Sequence, residues 1–138
     1  YKIPIITTYA VVTKPLIGYN YTFVLYQSTY QVVDIHMDLI KNVLLKWPEE
    51  EHRPKTVAII YDDSALGVEL AEIWREAIKR QTPELKIVVD EQTPMGTKDF
   101  TPVILKMKEA NVDILLAELQ LNTDAVTLKA VKRTRLCS

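Results

Sequence analysis

The sequence predicts an α/β domain, a three-layer, doubly wound parallel sheet in strand order 2-1-3, and three observations carry that reading. Val57 to Ile60 is a continuous apolar run between the charged EEEHRPK segment and Asp62-Asp63-Ser64, the pattern of a strand buried on both faces. A helix must follow at once: Ser64 can accept from the orphan amides of Val68 or its neighbours, Gly67 admits a close backbone approach, and Leu66, Leu70, Ile73 and Ala77 keep helical spacing. Strand and helix patterns then alternate as β-α-β-α-β-α, with connections that suit right-handed crossovers and place the 57–60 strand in the middle. Such a strand, turn and helix is the unit with which open α/β sheets present ligands at strand C-termini.

Taken in order, Tyr1 to Thr8 is β-rich and begins as if inside a sheet, so it is expected to lack its ladder partners. Tyr21 to Tyr26 alternates like a half-exposed strand. Ser28 and Gln31 stand at capping-box spacing and open a helix whose stripe is Val33, Met37, Ile40, Leu44 and Trp47, stopped by Pro48. The helix from about Ser64 to Gln81 ends before Pro83, and a second strand covers Leu85 to Val89. A third helix from about Asp99 to Ala110 accepts Pro102 in its first turn and turns Phe100, Ile104 and Met107 inward. The third strand, Ile114 to Ala117, precedes Asn122, Thr123 and Asp124, which can cap a last helix.

Composition narrows the function. With 138 residues, 48% hydrophobic and 25% charged, the chain can bury a core, and a net charge of −1 from well-mixed signs gives no electropositive footprint for nucleic acid. No apolar run approaches the ~18 residues of a membrane span. Three glycines form no phosphate-cradling motif. His36 and His52 lack a second ligand at metal-binding spacing and read as solvated; Cys137 lacks a nearby base. Trp47 and Trp74 fall on or near apolar stripes and read as core. No catalytic residue, cofactor or metal is expected.

KIPIIT, YTFVLYQS, KTVAIIYDDSALGVELAEIWREAI and GTKDFTPVILKMKEANVDILLAEL together resemble, in order and spacing, the type I periplasmic binding proteins of the branched-chain amino acid (Leu/Ile/Val-binding) ABC transporter family. The block from Thr97 to Asp113, with its Lys-Asp-Phe opening and Asn-x-Asp strand entry, is the strongest part. The resemblance extends to about Arg133. It implies a two-lobed, hinge-closing, extracytoplasmic receptor, periplasmic or at the cell surface, that passes an amino acid or related organic acid to a membrane permease. On that comparison residues 1–20 are a piece of the first lobe, 21–28 a crossing strand, 29–133 part of the second lobe and 134–138 a tail outside the family. The lobe is accordingly expected to be truncated, to self-associate through a bare edge and to lack tight solute binding by itself.

The same resemblance nominates ligand contacts. Thr7, Thr8 and Tyr9 fall on the first-lobe loop, although an ordinary strand end explains them equally. Tyr26 lies near the hinge, where half-packing is the plainer role. Leu66 stands where the family usually carries an aromatic; having no hydroxyl, it implies a preference for aromatic or other organic acids over aliphatic amino acids. Ser64 shares that strand end. Glu118 and Gln120 follow the third strand. Two rivals stay open: a Mg²⁺-dependent phospho-receiver domain using Asp62 and Asp63, whose plainer role is capping and turn formation, and a ligand-sensing domain of a regulator with the same fold.

Overall fold

β3 (Thr56–Asp62) is the middle strand of a three-stranded parallel sheet, between β4 (Lys86–Thr93) and β5 (Ile114–Glu118), which is the expected 2-1-3 order. In this computed structural model residues 5–7, 22–24 and 27–119 are described. Val57, Ala58, Ile59 and Ile60 are fully buried because both faces of β3 are covered. Val57 and Ile59 join the core beneath α1 (Thr29–Asn42) and α2 (Ala65–Gln81), while Ala58 and Ile60 join a second core beneath α3 (Thr101–Glu109). Four consecutive apolar residues therefore serve two cores through the two-residue period of a strand.

The helices begin as the sequence requires. The Ser28 hydroxyl accepts from the Gln31 amide at 3.2 Å and the Gln31 side chain accepts from the Ser28 amide at 2.9 Å, a complete capping box for α1. In α2 the Ser64 hydroxyl accepts from the Gly67 amide at 3.0 Å. At its other end the Thr82 amide and hydroxyl both donate to the Ile78 carbonyl, at 2.9 and 3.2 Å, just before Pro83. Pro102 sits in the first turn of α3, and Phe100, Ile104 and Met107 are fully buried.

Four expectations need correction. First, α1 stops at Asn42 rather than near Pro48; a single 3₁₀ turn, Leu44–Lys46, follows. A 3₁₀ turn advances about 120° per residue instead of about 100°, which rotates Trp47 off the buried stripe and leaves it 43% exposed. Second, β4 begins at Lys86 and runs on to Thr93, past Val89, because polar Asp90, Glu91 and Gln92 still pair with Ile59, Ile60 and Tyr61. The ladder passes from Val57↔Ile87 to Ala58↔Val89, so Val88 bulges out and is exposed. Third, His36 is half-buried against α2 instead of solvated. Fourth, β1 (Ile5–Thr7) does have a ladder partner, since it pairs in parallel with β2 (Thr22–Val24) in a separate sheet, Ile5 opposite Thr22 and Thr7 opposite Val24.

Candidate functional site

Parallel strands deliver their C-terminal ends to one edge of the sheet, where the loops after β3, β4 and β5 meet. The register places Tyr61 opposite both Gln92 and Glu118. The β3–α2 turn, Asp63-Ser64, therefore lies between the β4 exit at Pro94-Met95 and the β5 exit at Glu118-Leu119.

The turn is fixed from within. Asp62 is buried, and its Oδ1 accepts from the Ser64 amide at 3.0 Å. Asp63 reaches sideways, its Oδ1 accepting from the Met95 amide at 2.8 Å while its own amide donates to the Thr93 carbonyl at 3.1 Å. Gly67 is required here: a Cβ would stand 2.5 Å from the Asp62 carbonyl oxygen and 2.8 Å from Oδ1. Both carboxylates are thus occupied in shaping backbone, the role that capping chemistry assigns them. Among the described residues no group of three or more His, Cys, Asp or Glu side chains is arranged to hold a metal.

Of the nominated contacts, Ser64 and Leu66 stand at the start of α2 just past β3, and Glu118 ends the neighbouring β5, so all three belong to this edge of the sheet. The Ser64 oxygen accepts from the Gly67 amide in the helix cap, a bond that leaves the hydroxyl hydrogen unused. Leu66 is half-buried and packs against the core beneath α1 and α2, so part of its side chain is committed to the fold. Glu118 is half-buried at the last position of β5. The Thr7 backbone belongs to β1, opposite Val24. Its side chain, Thr8, Tyr9, Tyr26 and Gln120 lie outside the described residues, as do Asn122 to Asp124.

The opposite edge explains the Asn-x-Asp pattern. Asn111 takes the left-handed conformation, φ 49°, just past α3; its amide donates to the Lys108 carbonyl at 3.2 Å and that of Val112 to the Met107 carbonyl at 3.1 Å. That pair of bonds is a Schellman ending, with asparagine where glycine is usual. Asp113 Oδ2 then accepts from the amides of Lys55 and Thr56, at 2.7 and 3.0 Å. The Thr56 hydroxyl lies 2.7 Å from the Asn111 carbonyl and 3.0 Å from Asp113 Oδ2, and accepts from the Asp113 amide at 3.0 Å. Partial burial raises the Asp113 pKa, but the Lys55 amide and the Thr56 hydroxyl and amide outweigh it and hold the carboxyl below its ordinary 3.8. The motif staples the start of β3 to the start of β5.

Three contacts carried no sequence signal, because each joins residues on different elements. Thr29, fully buried at the start of α1, donates its hydroxyl to Glu69 Oε1 on α2 at 2.5 Å. Trp74 donates its indole N–H to His36 Nδ1 at 3.2 Å. Arg75 on α2 grips Asp90 on β4 with two bonds, 2.6 and 2.7 Å, and donates to the Tyr61 hydroxyl at 2.9 Å. Donating to Asp90 raises the Arg75 pKa still further above its already high value.

A family model described as periplasmic binding protein matches residues 1–135. Solved structures share the fold at low identity. The solute-binding protein of an ABC transporter from R. palustris, in complex with 4-hydroxybenzoate, is 19% identical with a TM-score of 0.75, over 98% of this chain and 34% of that one. The branched-chain amino acid transporter substrate-binding protein LivJ from Streptococcus pneumoniae, in complex with isoleucine, is 21% identical with a TM-score of 0.75, over 98% and 35%. A branched-chain amino acid ABC transporter protein from Thermus thermophilus with bound valine is 23% identical with a TM-score of 0.73, over 96% and 32%. The chain thus spans about a third of the length of each. No match is found among curated protein sequences.

Proposed function

Because the chain belongs to the periplasmic binding protein family, we propose that it forms part of an extracytoplasmic solute receptor of an ABC transporter, a binding protein rather than an enzyme. The observation that carries this is the family match across residues 1–135. Ser64, Leu66 and Glu118, at the C-terminal edge of the sheet, are proposed as solute contacts. Such an edge forms one wall of a cleft, and a ligand is held when a second wall closes on it. Thr7, Thr8, Tyr9, Tyr26 and Gln120 are proposed as further contacts, and residues 1–20, 21–28 and 29–133 as first-lobe piece, crossing strand and part of the second lobe. The partner that receives the solute is a membrane permease.

For the solute we propose an aromatic or other organic acid in preference to an aliphatic amino acid. Leu66 supplies apolar surface and no phenolic hydroxyl at the start of α2, which disfavours a ligand that needs a donor at that position. Proteins with this fold are solved with 4-hydroxybenzoate as well as with isoleucine and valine, so the fold admits either class and Leu66 carries the preference. A thermal-shift panel on the polypeptide at its natural full length tests it, since a ligand that binds only the folded state raises the midpoint. Hydroxybenzoates are expected to give the larger shift. A large shift with leucine or valine and none with aromatic acids refutes the solute class, and no shift with any amino or organic acid refutes the receptor reading.

A further inference from the structure

A groove runs between α1 and β5. Its walls are Leu39 and Ile40 of α1, Leu44 of the 3₁₀ turn that follows, Trp74 of α2 and the apolar stretch Ile114–Ala117, and His36 is the titratable side chain among them. Trp74 is 1% exposed, and its ring lies 5.8 Å from the imidazole, centroid to centroid, with 34° between the planes. An indole N–H can only donate, and a neutral imidazole accepts at one nitrogen alone. The bond from Trp74 to Nδ1 therefore fixes the His36 proton on Nε2.

Adding a second proton reverses the role of Nδ1. Two N–H groups would then face each other, and Trp74 would lose its acceptor beside apolar side chains. Charged groups nearby do not soften this. Asp34 and Asp38 flank His36 on α1 but are exposed; on α2, Glu69 is buried and accepts from Thr29 at the start of α1, Glu72 and Glu76 are exposed, and Arg75 is held by Asp90; β5 is apolar until Glu118 at its end. Burial accordingly lowers the His36 pKa from its ordinary 6.5.

We propose that the His36–Trp74 hydrogen bond is an acid-sensitive latch between α1 and α2: protonation at Nδ1 breaks it, α1 loosens, and the groove along β5 opens. The chain has two tryptophans, so Trp47→Phe makes Trp74 the sole fluorescent reporter. In that background, emission followed from about pH 8 to about pH 4 is expected to show a transition with its midpoint below the ordinary histidine value. His36→Gln supplies a non-titrating acceptor to the same indole and is expected to abolish the transition while keeping the fold. Hydrogen exchange over residues 29–42, corrected for intrinsic rates, is expected to accelerate across the same interval in the parent and not in His36→Gln. An unchanged transition in His36→Gln, or exchange in α1 that ignores the substitution, overturns the latch.

Discussion

Gly67 lies against Asp62 so closely that no side chain fits between them: a Cβ would come within 2.5 Å of the Asp62 carbonyl oxygen. The neighbour is backbone of the central strand, which cannot swing aside. Gly67→Ala is therefore expected to destabilise the fold by about 1–3 kcal/mol, the usual range for overpacking, although alanine is the better helix former. Urea midpoints check this. Ala71→Gly in the same helix gives the comparison for a change that creates no clash.

Asp113 makes a pH-dependent contribution. Its pKa is lower folded than unfolded, so the stabilisation is present above the unfolded value of 3.8 and is lost as pH falls through the folded one. Asp113→Asn is expected to flatten the acid limb of stability against pH, and to cost about 1–2 kcal/mol near neutrality because exposed amides regain water. Melting curves in acid and neutral buffer test both statements.

The Thr29 hydroxyl bonded to Glu69 is fully buried. Thr29→Val keeps the shape and removes the donor, and is expected to cost about 1–3 kcal/mol; Thr29→Ser is expected to restore most of it. Equal losses in the two variants would assign the effect to packing.

Ile35, Leu39, Val43 and Trp47 recur at four-residue spacing, each roughly half exposed, on the outer side of α1 and its 3₁₀ extension. The 138-residue chain by itself is expected to associate at micromolar concentration through such apolar surface. Light scattering measures it. Leu39→Lys with Val43→Lys is expected to shift the distribution towards monomer, and an unaltered distribution would place the contact elsewhere.

Much of the fold was legible because local rules and burial agree. The apolar run at Val57–Ile60 could only be a strand covered twice, and Ser28, Ser64 and Pro102 mark helix starts by chemistry that acts within four residues. The end of α1 was not legible, because a 3₁₀ turn keeps a helical residue pattern while changing the phase that decides burial of Trp47. The partners of His36, Glu69 and Arg75 were hidden for another reason: they are set by how elements cross, across 38, 40 and 15 residues. At the candidate site, Ser64 was readable as a cap, whereas the position of Glu118 opposite Tyr61 depends on the β3–β5 register.

The central place of β3 also has a kinetic consequence. β3, α2 and β4 close a parallel unit within Thr56–Thr93, while β5 must return to β3 across the whole of that unit and α3. Contacts of long sequence separation carry the larger loop-closure entropy and form late. The α2 side is thus expected to be organised in the folding transition state and the α3–β5 side to dock after it. On a chevron plot Ala71→Gly should slow folding, whereas Ile104→Val should chiefly speed unfolding. A partly opened molecule would then shed α3 and β5 first, keeping the β3–α2–β4 unit and its Ser64 turn intact while Glu118 departs.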